Sequence, residues 1–233
     1  MQTVVNIVTM LGIIIPVYNP RSLDNTLAWL RRHCGVPHRI CVVEHYRHIR
    51  PEQRDDVDHV RVKREHPWPE RGTGSRLGME HFMTVPEIKV VTELDEDCSQ
   101  DLSDIDDCYN SILQDSHVII KSRRLLHSRQ DRPAVRQLVT NMLGGITQRI
   151  MHSDIRDWSH THRYYPVRML ETVEWPAESL HTHMWNTRLL INMHRAGMAI
   201  RERSAVVSDH NASSINCLHL PRYLWEYARA VGR

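Results

Sequence analysis

Short apolar runs alternate with helix-period stretches through the first half of the chain, the pattern of β-α-β units. Leu11 to Val17 is rich in β-branched residues and runs into Tyr18-Asn19-Pro20, which predicts a buried strand ending in a turn. Ser22 or Asp24 can cap a following helix to about Arg32, with Leu23, Leu27 and Leu30 on one face. Arg39 to Glu44 predicts a second strand and His59 to Lys63 a third. Gly72 to Met83 reads as a glycine-marked turn followed by a helix. Ile88 to Leu94 and His117 to Lys121 predict two more buried strands. Arg132 to Ile150 has helical spacing, interrupted at Gly144-Gly145. Ser179 to Arg195 is a long helix that stops at Ala196-Gly197, where glycine supplies a left-handed cap. Ile200 to Val207 predicts a strand and Pro221 to Val231 a final amphipathic helix. The expected architecture is a single α/β domain over 1–233 with a central mixed, mostly parallel sheet flanked by helices.

Composition narrows the function classes. With 30 basic and 28 acidic residues the formal charge is +2, which excludes a polycation built to coat nucleic acid. Only Lys63, Lys89 and Lys121 are lysines, so the basic set is almost all arginine, the side chain whose planar fork suits phosphate; biased codon usage in a GC-rich genome accounts for the same skew. Five cysteines without a C-x-x-C pair disfavour both a disulfide framework and a zinc module, which points to a reducing, cytoplasmic setting. Val4 to Val17 is too short and too interrupted to span a bilayer, so no transmembrane segment is expected. The tail helix, with Tyr223, Leu224, Trp225 and Tyr227 among arginines, suits either packing on the sheet or peripheral contact with a membrane.

The chemistry concentrates at the end of the Ile88 to Leu94 strand. Asp95 and Asp97 follow it directly, and in open α/β sheets ligands bind beyond the carboxyl ends of strands. Two carboxylates at that place suit Mg²⁺ or Mn²⁺, hard cations that share their remaining positions with phosphate and water. The alternative is an acidic turn capping the next helix, since Asp101, Asp104, Asp106 and Asp107 follow. Among the 17 histidines, His160-x-His162 and His181-x-His183 are the closest pairs, and neither has the spacing of a four-ligand zinc site.

Several segments, in order, resemble the family-2 glycosyltransferases of the GT-A fold, in particular the polyprenol-phosphate (dolichol-phosphate) mannosyltransferases. They are Ile13 to Asn19, Arg71-Gly72-Thr73-Gly74-Ser75 with Gly78, Glu93 to Asp101, and Ile119 to Arg124. Ile155-Arg156-Asp157 with Arg163, Tyr165 and Leu170-Glu171 follows, then His194 to Glu202, then Val207 to His210 with Ser213-Ser214. The resemblance implies a metal-dependent, inverting transfer of sugar from a nucleotide-diphosphate donor, with residues 1–100 as the nucleotide-binding half and 101–233 as the acceptor-binding half. It places Pro16, Tyr18 and Glu44 in the nucleoside pocket and Asp95 with Asp97 on the metal and diphosphate, and Ser99 falls where some members add a metal ligand. It assigns an acceptor phosphate to Arg123 and to Arg136 with Thr140. His210 replaces a donor-contacting arginine and is expected at the diphosphate or metal.

The chain departs from the pattern at Glu44-His45-Tyr46, Lys121, Thr161-His162 and Pro20. The acceptor therefore stays open between a polyprenyl phosphate, a glycan, a protein side chain and a hydroxymethylated base in DNA. A phosphate acceptor needs no general base, whereas a hydroxyl does, with Asp97, Glu96 and Asp157 as candidates. Two other classes share the logic: a nucleotide-sugar-binding module without catalysis, and a nucleotidyltransferase, which would release pyrophosphate instead of a nucleoside diphosphate.

Overall fold

The computed structural model describes residues 8–17, 23–46, 57–63, 71–97, 99–176, 184–208 and 220–232. In chain order the elements are β1 (Met10–Val17), α1 (Leu23–His33), β2 (His38–Tyr46), β3 (Asp58–Lys63), α2 (Arg71–Met83), β4 (Ile88–Glu93), α3 (Ile105–Gln114) and β5 (Val118–Ser122). They continue with β6 (Arg129–Asp131), α4 (Ala134–Ile150), β7 (Arg163–Pro166), α5 (Val167–Leu170), α6 (Met184–Arg195), β8 (Ile200–Ser204), β9 (Val206–Ser208) and α7 (Leu220–Gly232). Seven strands form one sheet in the order β3-β2-β1-β4-β7-β5-β8. All its pairings are parallel except those of β7, which runs antiparallel to β4 and to β5.

Alternation along β1 divides the core into two layers. Leu11, Ile13, Ile15 and Val17 pack on one face with Leu23, Leu27 and Leu30 of α1 and with Ile105 and Tyr109 of α3. Ile14 points the other way, into a layer with Met79 and Phe82 of α2, Leu189 and Met193 of α6, and Tyr227 of α7.

Two glycine-marked places differ from the sequence expectation. Arg71 through Met83 is helical throughout, without a preceding turn inside it. Its glycines serve packing: a side chain at Gly78 would run into Ile14 of β1, and one at Gly74 would come within 2.9 Å of His45 and 3.1 Å of Pro16. The helix α4 likewise runs unbroken through Gly144-Gly145, because Arg124 and the Arg156 carbonyl occupy the space a side chain at Gly144 would need. Gly197, at φ 71°, caps α6 as expected, and Met198 N–H closes onto the Met193 carbonyl at 3.1 Å.

The Ile200 to Val207 run is two strands. At Ala205 the chain leaves the large sheet, donating to the Ser122 carbonyl (3.1 Å) and accepting from Arg129 N–H (2.9 Å). Beyond it, β9 pairs in parallel with β6 as a small second sheet. In α7, Tyr227, Ala230 and Val231 are buried while Leu224 and Trp225 are exposed. The outward side of α4 carries Val135, Leu138, Met142, Ile146 and Ile150, each about half exposed or more. Among the described residues no helix is long and apolar enough to cross a membrane.

Candidate functional site

The central strand β4 ends at Glu93, and Leu94 N–H still bonds the Ile14 carbonyl of β1 at 2.9 Å. The turn Asp95-Glu96-Asp97 therefore leaves the sheet at its middle, beyond the carboxyl ends of the parallel strands. Its two flanks are pinned. Thr26 of α1 donates its hydroxyl to the Glu96 carbonyl at 2.8 Å. On the other side Ser208 N–H of β9 bonds the Ser99 carbonyl at 2.9 Å, and Gln100 bridges to Val207.

Within that frame Asp95 is held from both sides. Its Oδ2 accepts from Gln100 Nε2 at 2.9 Å and from Ser99 Oγ at 3.4 Å. Its Oδ1 is ion-paired with Arg71 Nη2. Arg71 is the first residue of α2, and its Nε also donates to Glu93 Oε1 at 2.9 Å and its Nη2 to Thr161 Oγ1 at 3.2 Å. The side chain of Glu93 is almost wholly buried, at 1% exposure, so its charge requires a cation and further donors. Asn186 of α6 supplies the second, giving Nδ2 to Glu93 Oε2 at 3.1 Å and to Ser75 Oγ at 3.1 Å. Asp97 accepts from Ser99 N–H at 3.1 Å through Oδ1, an Asx turn that aims the carboxylate from the loop.

The donor chemistry fits a hard divalent cation. Asp95 and Asp97 offer oxygen alone, and both side chains are partly open to solvent. Among the described residues no group of three or more His, Cys, Asp or Glu converges on one point. Among the described residues, a cation at this turn would take these two carboxylates and draw further ligands from diphosphate and water.

The residues expected at the nucleoside flank the same edge. Pro16 lies at the end of β1 beneath Gly74 of α2. Glu44 stands level with Val17 across the β1–β2 ladder, buried, with His59 Nδ1 at 3.5 Å and Arg61 Nε at 3.6 Å from its Oε2. Tyr18 and His210 lie outside the described residues, as do His181 and His183.

Arg123, expected at an acceptor phosphate, and Asp157, a candidate base, are brought together and bond each other. Asp157 Oδ2 accepts from Arg123 N–H (3.0 Å) and Nε (2.7 Å), and Oδ1 accepts from Arg123 Nη2 (2.8 Å). Oδ1 also takes the N–H groups of Ser159 (3.2 Å) and His160 (3.1 Å). The aspartate is fully buried. Burial alone would raise its pKa, yet the Arg123 guanidinium and these hydrogen bonds hold it well below the usual carboxylate range. A buried carboxylate with a lowered pKa and both oxygens hydrogen-bonded is poorly suited to take up a proton. Arg123 is buried itself and spends its fork on Asp157 and on Ser159 Oγ at 2.7 Å.

Arg136 and Thr140 share the inward side of α4 with Leu143 and Thr147 by helical spacing and are half-buried. Neighbouring Arg124 donates to the Arg156 carbonyl beneath Gly144, so the loop after β5 and the middle of α4 meet there. The histidine pair in the described region is structural. His160 Nδ1 donates to the Lys121 carbonyl, and His162 Nε2 lies 3.0 Å from the Tyr164 hydroxyl. Burial pushes both imidazoles below their usual pKa, with Arg123 adding to the effect on His160 and His160 to that on His162.

Sequence reasoning missed the Arg71–Glu93–Asn186–Ser75 network. The available signal was Glu93 itself, a carboxylate closing an apolar strand that would be buried on both faces, which demands a cationic partner.

No family model matches the sequence, and no curated protein matches it either. Solved structures do match the fold. Glucosyl-3-phosphoglycerate synthase from Mycobacterium tuberculosis with uridine diphosphate aligns at TM-score 0.62 and 12% identity, over 96% of this chain and 80% of that one. The same enzyme with Mn²⁺, UDP-glucose and phosphoglyceric acid aligns at TM-score 0.61 and 12% identity, with the same coverage. Its complex with Mn²⁺, UDP-glucose and glycerol 3-phosphate gives TM-score 0.61 and 12% identity, again over 96% and 80%. The chain has the GT-A glycosyltransferase fold. At this identity the likeness is one of architecture, and it lends no support to polyprenol-phosphate mannosyltransferases in particular.

Proposed function

We propose that this GT-A chain is a metal-dependent glycosyltransferase that moves a sugar from a nucleotide-diphosphate donor to an oxygen nucleophile. The observation that carries the reading is the Asp95/Asp97 turn at the carboxyl end of the central strand, braced by α1, α2 and β9. Asp95 and Asp97 would hold Mg²⁺ or Mn²⁺, which when bound neutralises charge building on the leaving diphosphate. Gln100 and Ser99 orient Asp95, and Thr26 fixes the turn that presents Asp97. Pro16 and Glu44, at the ends of β1 and β2, are the residues this reading gives to the nucleoside. Arg136 and Thr140 remain the acceptor-side candidates, with Asp157 and Arg123 acting as a lock that fixes the loop between β5 and β7. The structural neighbours were solved with uridine nucleotides and small phosphorylated acceptors, which makes UDP-glucose and phosphoglyceric acid the first pair to assay. Polyprenyl phosphate, glycan, protein and hydroxymethylated DNA are the further acceptor arms. Exposed Leu224 and Trp225 of α7 favour a peripheral membrane contact as part of this reading, testable by flotation with vesicles.

The deciding experiment is a thermal-shift panel of nucleoside diphosphates and their sugars with and without Mn²⁺, followed by product analysis. A ligand that binds the native state raises the melting temperature by mass action. We expect a shift that needs both metal and one diphosphosugar, that is lost in Asp97→Asn, and turnover that releases a nucleoside diphosphate. Pyrophosphate release would make it a nucleotidyltransferase. Binding without turnover would leave a nucleotide-sugar-binding module, a second reading favoured by the protein donors already occupying both oxygens of Asp95.

A further inference from the structure

We infer that Arg71 is a resident counter-cation that keeps bare divalent metal off Asp95 and couples metal binding to diphosphate binding. The inference rests on the reading that Asp95 and Asp97 hold a metal-diphosphate, and it concerns how that site is loaded.

The geometry is specific. Arg71 stands at the first position of α2 and reaches across to the end of β4, where its guanidinium touches Glu93 Oε1, Asp95 Oδ1 and Thr161 Oγ1. Its side chain is only 15% exposed, against 24% for Asp95 and 1% for Glu93. The guanidinium is thus anchored by Glu93 through Nε and Nη2, and the same Nη2 makes the ion pair with Asp95 Oδ1. Gln100 and Ser99 occupy the opposite oxygen of Asp95.

A divalent ion arriving alone meets a carboxylate already neutralised by a fixed positive charge at ion-pair distance. Like charges so close in a partly buried site repel strongly, because the surrounding dielectric is lower than that of water. The ion must displace the Arg71 nitrogen or the Gln100 amide and gains one compromised ligand. A diphosphate changes the balance. It brings negative charge that offers Arg71 a second anionic partner, which an arginine fork can engage while Nε stays on Glu93. Asp95 Oδ1 is then released for coordination. Metal and diphosphate should therefore bind with positive cooperativity, and by linkage each strengthens the other by the same factor.

The test is a binding cycle that needs no turnover. Mn²⁺ affinity is measured by electron paramagnetic resonance on the full chain, alone and with saturating uridine diphosphate, for the wild type, Arg71→Gln, Arg71→Lys and Glu93→Gln. In the wild type, the nucleotide should tighten Mn²⁺ by about 10-fold or more, within the usual range of coupling between sites. In Arg71→Gln, Mn²⁺ alone should bind several-fold tighter and the coupling factor should fall toward one. Arg71→Lys, which keeps the positive charge but loses the Nε hydrogen bond to Glu93, should fall between. Glu93→Gln should move the other way, because Arg71 then gives its whole charge to Asp95, and Mn²⁺ alone should weaken. The opposite signs separate counter-charge from mere disruption, and Glu93→Gln decides the matter should loss of Arg71 prevent folding. Unchanged or weaker Mn²⁺ binding in a folded Arg71→Gln, or no weakening in Glu93→Gln, overturns the inference while leaving the glycosyltransferase reading in place. Wild-type protein that binds neither Mn²⁺ nor uridine diphosphate, together or apart, overturns that reading itself.

Discussion

Two arginine–aspartate pairs in this chain use the same chemical groups to opposite ends. Arg123 and Asp157 close on each other through three hydrogen bonds, and the aspartate has no exposed surface. Arg71 and Asp95 meet through a single guanidinium nitrogen, at a partly exposed carboxylate whose other oxygen is held by uncharged donors. The first pair is a lock. A partner for either member could enter only by unfolding the loop that follows β5. The second pair is exchangeable, because an incoming ion or phosphate can replace one contact without exposing a buried charge. Burial and the number of donors, more than residue type, separate a structural ion pair from a site.

Breaking the lock should have the largest effect. Asp157→Ala leaves the Arg123 side chain, 8% exposed, charged and without its carboxylate, and should cost about 3–5 kcal/mol, visible as a lower urea midpoint. The exchangeable side should respond in activity instead. Asp97→Asn should reduce sugar transfer by about 10²-fold or more, the scale of losing one group that stabilises developing charge, with the unfolding midpoint nearly unchanged. A comparable loss of stability in both variants would erase the distinction between the pairs.

Acid titration sharpens the comparison. The depressed pKa of Asp157 means its contribution is fully present above the unfolded-state value near 3.9 and is lost only at lower pH. The buried His160 and His162 have lowered pKa values, so below about pH 6.5 the unfolded chain binds protons that the folded chain refuses. Stability should therefore decline as pH falls from about 6.5 toward 4, driven by these histidines and not by the Asp157 lock. Melting curves across that window check the slope, and His160→Asn, which keeps a donor for the Lys121 carbonyl, should flatten it. The smallest effect belongs to Ser99→Ala. Its hydroxyl lies 3.4 Å from Asp95, a long contact, so stability should change by no more than about 0.5 kcal/mol. A large loss of Mn²⁺ affinity in that variant would instead make Ser99 a ligand.

Much of the frame was legible because it rests on local pattern. The β-branched runs at Leu11 to Val17 and Ile88 to Leu94 became β1 and β4, and the leucines spaced along Leu23 to Leu30 became the inner face of α1. Strand β7 was not legible: Arg163-Tyr164-Tyr165-Pro166 has neither alternation nor a purely apolar character. It is fully buried only because Arg163 finds the Trp158 carbonyl at 2.7 Å and the Asn186 carbonyl inside the core. The break at Ala205 was hidden for a similar reason, since its cause is hydrogen bonding to Ser122 and Arg129 far away in sequence.

What the sequence alone determined is most of the strands and long helices, without β6, β7 and the break at Ala205, and the placing of Asp95 and Asp97 just past a buried strand, because periodicity and strand ends are properties of neighbouring residues. Tertiary structure decided which charges are available for chemistry. Asp157, Arg123, Glu93 and Arg71 look alike as letters, and only packing brings a distant cation to one carboxylate and solvent to another. Charge in a protein acquires its role from the partners and the dielectric around it, and both are fixed by contacts between residues far apart in the chain.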